Sequence, residues 1–170
     1  VGAGQDSASW RDIFPMDLVS AWTALDDATH ENGPQPYYPL WTRAFISKLS
    51  LAVLGSGCLE FARGTHRWGI VPPAAREQLT PELERERSGE PAADRSWSPQ
   101  VVRVPMRAGS VSFHHSLILH MSGPNLSDQR RRGYAVHYMR ASSWKDEEVT
   151  DAPKMPAFRQ VSGRSFPGCV

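Results

Sequence analysis

Apolar and polar residues alternate with a period of two over five stretches of this chain, and that period predicts strands. Residues 19–25 set Val19, Ala21, Thr23 and Leu25 against Ser20, Trp22 and Ala24. Residues 58–62 set Leu59 and Phe61 against Cys58 and Glu60. Residues 100–105 carry Val101, Val102 and Val104, and residues 110–119 form a further apolar stretch, entered from a turn at Gly109. Residues 133–140 set Tyr134, Val136 and Tyr138 against Ala135, His137 and Met139. Turn-forming residues separate the runs: Asp26-Asp27 and Asn32-Gly33 after the first, Gly123-Pro124-Asn125 before the last. Many short strands with few helices predict a mainly β domain, a sandwich or barrel of the jelly-roll kind.

Two segments break the pattern. Residues 72–95 are charged, and Thr80 followed by Pro81 fits an N-cap with proline at the first helical position. They predict a short solvated helix and a loop at the mouth of the barrel. Residues 34–57 contain no acidic residue and interrupt the strand-turn-strand rhythm; with them deleted, Asn32-Gly33 runs directly into Cys58-Leu59-Glu60. They are expected to be an insertion, and together with residues 1–4 they look like translated non-coding sequence beside true exons. The core is expected over 1–145, N-terminally incomplete, with a polar, weakly ordered tail over 146–170.

Composition narrows the function classes. The chain has 170 residues, enough for one domain with a sizeable core. Lys and Arg total 19 against 18 Asp and Glu, a formal charge of +1, so no electrostatic footprint for nucleic acid or an anionic membrane is present. Two cysteines, Cys58 and Cys169, cannot make a disulfide framework, and a reducing intracellular compartment, cytoplasmic by default, is the expectation. No run approaches the roughly 18 apolar residues of a membrane span. The start lacks both Met and a signal-like pattern, so the chain is expected to begin in mid-protein, and its Pro-Gly-Cys-Val ending is not a peroxisomal Ser-Lys-Leu. Nothing in the residues sets an oligomeric state; the expected partner is a small molecule.

The candidate chemistry centres on His120 and Arg131, eleven residues apart and joined by Met-Ser-Gly-Pro-Asn and a polar turn. A histidine closing one strand and an arginine opening the next can place a metal ligand beside a carboxylate-binding guanidinium, and Asp6 can add a second ligand. Other residues have blander expectations. His114 and His115 are adjacent, so they face opposite ways and cannot both bind one metal; one packed and one exposed is expected, with neither a ligand. His66 fixes a turn, His137 packs, Asp26 and Asp27 make a turn, and Cys58 is a small buried hydrophobe.

Five blocks taken in order resemble the phytanoyl-CoA dioxygenase family of iron(II)/2-oxoglutarate oxygenases. They are Gln5-Asp6-Ser7, residues 20–29, Glu31-Asn32-Gly33, residues 59–69, and residues 108–114 running through His120 and Arg131 to His137-Tyr138. The resemblance implies a double-stranded β-helix, an iron(II) site with open positions for 2-oxoglutarate and dioxygen, and hydroxylation of an unactivated C–H bond with release of succinate and carbon dioxide. It carries the metal carboxylate onto Asp6, the distal histidine ligand onto His120 and the 2-oxoglutarate arginine onto Arg131, whose planar fork suits a carboxylate. Ser122 becomes a helper to that carboxylate, and Trp22 a wall against the co-substrate or a piece of core. The presence of Asp6 favours hydroxylation over halogenation. One position departs from the pattern: the histidine expected two residues before Asp6 is Gly4. That glycine keeps open a catalytically silent β-helix that binds a ligand or partner protein. A third reading is a small cupin-like protein holding another metal without co-substrate, against which Arg131 argues.

Overall fold

The computed structural model describes residues 3–29, 57–88, 99–123, 125, 127–146, 148 and 160–169. Eight strands follow one another: β1 (Ile13–Phe14), β2 (Val19–Ala24), β3 (Leu59–Ala62), β4 (Val101–Val104), β5 (Val111–His115), β6 (His120–Ser122), β7 (Gly133–Tyr138) and β8 (Trp144–Lys145). One α-helix, α1 (Pro73–Ser88), and two 3-10 turns, Asp6–Ser9 and Thr65–Trp68, complete the described elements. Four of the five expected strands form with slightly trimmed ends. The fifth, over residues 110–119, ends early as β5, and residues 116–119 turn into β6. His115 stops it: its Nδ1 accepts the Leu117 N–H at 3.1 Å, and its carbonyl accepts the Ile118 N–H at 3.0 Å. His120 therefore opens β6 instead of closing a strand.

The strands form two antiparallel three-stranded sheets, ordered β5-β2-β7 and β4-β3-β6, and a small β1-β8 pair. In the first sheet Ser20 lies opposite both His114 and His137, and Trp22 opposite both Ser112 and Ala135. In the second, Phe61 lies opposite Val102 and His120, and Leu59 opposite Val104 and Ser122. Directly opposed residues share a face, and the Phe61 ring lies 4.9 Å from the His114 ring. The Ser20/His114/His137 face of one sheet thus looks onto the Phe61/His120 face of the other.

The helix packs on the back of the second sheet, not at the barrel mouth. Ala75, Leu79 and Leu83 recur every fourth residue and meet Ala62, Val71, Leu119 and Met121; Leu83 is only 1% exposed. This stripe makes the helix longer and better anchored than its charge suggests. Pro73, not Pro81, stands at its first position, where a missing N–H costs nothing. Pro81 lies inside the helix, and the Thr80 hydroxyl donates back to the Arg76 carbonyl at 2.8 Å instead of capping. A second cluster joins Trp10, Ile13 and Leu18 with Met16 and Met139. Beside it the partly exposed rings of Phe14 and Trp144 stack at 5.3 Å where β1 pairs with β8. In the expected tail, residues 160–168 are exposed and Cys169 is half-buried, its Sγ donating to the Ser142 carbonyl at 3.4 Å; residues 147 and 149–159 lie outside the described residues. So does the expected insertion over 34–57, apart from Gly57. No described helix is long and apolar enough to cross a membrane.

Candidate metal centre

Gln5 sets the position of the residues on either side of it. Its buried amide donates to the Gly69 carbonyl at 3.0 Å and the Leu117 carbonyl at 2.6 Å, and its Oε1 accepts the Val71 N–H at 2.8 Å. Three bonds to two separate loops fix the chain where Gly4 joins the edge of β6 and Asp6 begins its 3-10 turn. Thr65 braces the same region: its hydroxyl donates to the Ala62 carbonyl and accepts the Leu119 N–H just before His120.

Asp6 is thereby delivered between the sheets. Its Oδ2 accepts the Ser20 hydroxyl at 2.6 Å and lies 3.1 Å from His114 Nε2; its Oδ1 lies 3.5 Å from His120 Nε2. The Ser20 hydroxyl has one proton and gives it to Asp6, so the His137 Nδ1 at 2.8 Å donates to the Ser20 oxygen. Burial pushes the Asp6 carboxyl up, but the hydrogen bond to His114, the His120 charge, Ser20 and His137 outweigh it and hold the pKa near about 2. Burial pushes the imidazoles of His120 and His137 down from the usual histidine range, Asp6 only partly opposing it. At neutral pH the site holds the Asp6 carboxylate beside the neutral imidazoles of His120 and His137, the charge state that metal ligation requires.

The tautomer of His120 follows from its other nitrogen. Nδ1 lies 3.1 Å from the Ile118 carbonyl and must donate to it. Nε2 then carries a bare lone pair, aimed at an Asp6 oxygen that is also an acceptor. Two acceptors at 3.5 Å leave a gap that suits a cation. Asp6, His114 and His120 each offer an atom lying within 4.8 Å of the others, so these residues could hold a metal ion.

Of the residues singled out in the sequence, Asp6 and His120 meet here, and Ser122 lies two residues beyond His120 on the same strand face. Trp22 shares a face with Ser20 and lies across Gly133, where an added Cβ would come within 2.1 Å of its ring. Arg131 lies two residues before β7 begins at Gly133, half-buried, with an Nε that is shielded and has no hydrogen-bond partner among the described residues. Its neighbour Arg132 turns outward onto Asp26, with Nε–Oδ2 at 2.8 Å.

Two residues expected only to pack also surround Asp6. His114 is not a bystander of Asp6 but its direct neighbour, with a side chain 8% exposed. His137 packs on Trp10 at 4.5 Å as expected, and also completes the hydrogen bonding around Asp6 through Ser20. Alternation alone indicated that one of His114 and His115 faces inward; only the register, which puts His114 opposite Ser20, says which. His115 and His66 instead line a cleft of about 1060 Å³ that runs from His114 along Phe61, Val102 and Met106, with Arg63 and Arg107 on its wall.

Comparison with known proteins places this geometry. The family model for phytanoyl-CoA dioxygenase (PhyH) matches residues 52–133, which include His114, His120, Ser122 and Arg131. Phytanoyl-CoA dioxygenase domain-containing protein 1 of Mus musculus is 32% identical over 92 residues, covering 54% of this chain and 31% of that protein. Its Bos taurus counterpart is 32% identical over 113 residues, 62% of this chain and 36% of that protein. The chain therefore spans about a third of the length of these relatives. Among solved structures, the non-heme alpha ketoglutarate dependent epimerase SnoN from nogalamycin biosynthesis superposes with a TM-score of 0.54 at 21% identity, over 98% of this chain and 49% of that one. That likeness shows the fold: mainly β and cupin-like, in keeping with the jelly-roll kind expected from the strand pattern and with the double-stranded β-helix that the family resemblance implies.

Proposed function

We propose that this chain, which is similar to the phytanoyl-CoA dioxygenase family over residues 52–133, serves an iron(II)/2-oxoglutarate-dependent dioxygenase that hydroxylates a small organic or acyl substrate. Asp6 and His120 hold the iron. Arg131 receives the far carboxylate of 2-oxoglutarate, Ser122 assists it, and Trp22 walls the pocket. The observation that carries this reading is the face-to-face approach of the bare His120 Nε2 and the Asp6 carboxylate, a gap that a cation fills. The shielded, unpaired Nε of Arg131 supports the co-substrate half of it, because a buried guanidinium donor calls for an acceptor.

When bound, iron(II) would couple dioxygen to oxidative decarboxylation of 2-oxoglutarate, one oxygen atom going to succinate and the other to the substrate C–H bond, with carbon dioxide released. The residues of this chain do the positioning. Ser20 and His137 orient the Asp6 carboxylate, the Ile118 carbonyl fixes the His120 tautomer, and the facing sheets keep water from the reacting centre. The apolar cleft beside His114, with Arg63 and Arg107 at its wall, is the place for substrate.

Anaerobic titration of iron(II) and 2-oxoglutarate tests the reading, followed by the weak visible charge-transfer band of the chelate. The chain as it stands and a Gly4→His variant are compared. A band in the native chain supports cofactor binding despite Gly4. A band only in the variant supports the Asp6, His120 and Arg131 roles and means that Gly4 has weakened the site. No band in either folded protein would overturn the oxygenase reading and leave the silent β-helix that Gly4 favours.

A further inference from the structure

We propose that His114 supplies a third protein ligand to the metal, in the coordination position that Gly4 leaves without a side chain, so that this chain binds a divalent metal through Asp6, His114 and His120. The inference rests on the metal reading above and adds a ligand to it from a different strand.

Geometry is the first argument. Two ligand atoms in cis positions, each about 2.1 Å from a metal, stand about 3 Å apart. His114 Nε2 to Asp6 Oδ2 is 3.1 Å and His120 Nε2 to Asp6 Oδ1 is 3.5 Å, so a metal can sit among all three with small adjustments. The centroids of the His114 and His120 rings are 5.2 Å apart, close enough for the two to share one ion. His137, the other imidazole beside Asp6, is a poor rival: its Nδ1 is committed to Ser20 and lies 3.8 Å from Asp6.

The second argument is hydrogen-bond accounting. The His114 side chain is more than nine-tenths buried, and its Nδ1 has no partner among the described residues. In a structural role, a buried histidine is expected to satisfy both nitrogens. Here Nδ1 is idle and Nε2 donates to the Asp6 Oδ2 that also accepts from Ser20; a cation would take the place of that proton, with the idle Nδ1 free to carry it instead. The third argument is rigidity. Position 114 lies in β5, paired with Ser20, and the ring rests against Phe61 at 4.9 Å. A ligand on a paired strand is held at least as firmly as one from a terminal segment.

Cobalt(II) binding to the full chain, read from its visible ligand-field bands, tests the assignment without turnover. The proteins are wild type, His120→Ala, His114→Phe and the double variant Gly4→His/His114→Phe, with circular dichroism confirming fold. Phenylalanine keeps the ring contact with Phe61 and removes only the nitrogens. The expected result is on the order of tenfold weaker binding or worse in His114→Phe and recovery in the double variant. Wild-type affinity in His114→Phe, with loss in His120→Ala, overturns the role of His114 and leaves the iron reading standing. No binding by wild type overturns both. A measurement on wild type alone guards against misfolding: in long-range proton–nitrogen spectra of the six histidines, zinc(II) should shift Nε2 of His114 and His120 together. A shift of His120 without His114 sinks the proposal.

Discussion

Gly4 and His120 exchange both backbone hydrogen bonds, the Gly4 N–H to the His120 carbonyl at 2.8 Å and the His120 N–H to the Gly4 carbonyl at 3.0 Å. Directly opposed residues of an antiparallel bridge project to the same side, so position 4 faces the way His120 faces. Its glycine is not demanded by backbone conformation or crowding. A Cβ there would meet nothing nearer than the His120 carbonyl at 3.9 Å. Gly4→Ala is therefore expected to stabilise the fold by about 0.4–1 kcal/mol through the unfolded chain. Urea unfolding measures it, and a lowered midpoint would contradict the open geometry.

Trp22 and Gly133 give the opposite case. The indole lies so close over Gly133 that a methyl group there would overlap three of its ring atoms, the nearest at 2.1 Å. Gly133→Ala should push Trp22 off its seat, cost about 1–3 kcal/mol by overpacking and change tryptophan fluorescence. Where the ring walls the co-substrate pocket, 2-oxoglutarate affinity falls as well. An unchanged near-ultraviolet circular dichroism spectrum would contradict this placement.

The helix on the back of β4-β3-β6 should matter for stability rather than for the site. Leu83 fills the centre of the cluster that also takes Ala62, Val71, Leu119 and Met121. Leu83→Ala is expected to cost about 2–5 kcal/mol, since the surrounding side chains cannot all close the cavity. Thermal unfolding reads the loss. Cobalt(II) affinity below the new melting temperature should be unchanged.

The strands were legible in the sequence because a period of two needs no tertiary information. What it could not supply is which side of each strand looks inward. In β5 and β7 the inward set is the polar one, Ser112 and His114, with His137, while Phe113 is 70% exposed and Tyr134 61%. The inner face here is a site, so the rule of apolar residues inward fails where it is most often applied. That is why His114 was set aside and why Ser20, which anchors Asp6, drew no notice. Asp6 and His120 were legible as partners through motif order. The break between β5 and β6 was not, because it depends on the His115 side chain capturing the Leu117 N–H.

Asp26 and Arg132 make an exposed ion pair whose pH dependence has a definite sign. Hydrogen bonds from the Arg132 side chain and backbone hold the Asp26 carboxyl well below the usual carboxylate range. The folded pKa is depressed, so the stabilisation is present above about 3.9, the unfolded value, and is lost as the pH falls through the folded value. Asp26→Asn should lower the melting temperature slightly at neutral pH, and that difference should shrink only in strong acid. Molar salt should shrink it at any pH, because both groups face solvent. A difference that is constant from pH 7 to pH 2 would contradict the assignment.

Arg132 also decides which member of the Arg130-Arg131-Arg132 triplet turns inward. Its backbone N–H and guanidinium both grip Asp26, and its carbonyl accepts the Leu25 N–H at 2.9 Å, which fixes the entry to β7. With Arg132 held outside, Arg131 is half-buried with its Nε shielded. Arg131→Lys keeps the charge and removes the planar fork. It should weaken 2-oxoglutarate binding by roughly ten- to a hundredfold, the worth of a hydrogen bond to a charged group, and leave cobalt(II) affinity unchanged. Arg132→Lys should leave 2-oxoglutarate binding near its native value. Calorimetric titration of the metal-loaded protein distinguishes the two, and equal losses in both variants would mean that the co-substrate senses only net charge rather than a clamp at Arg131.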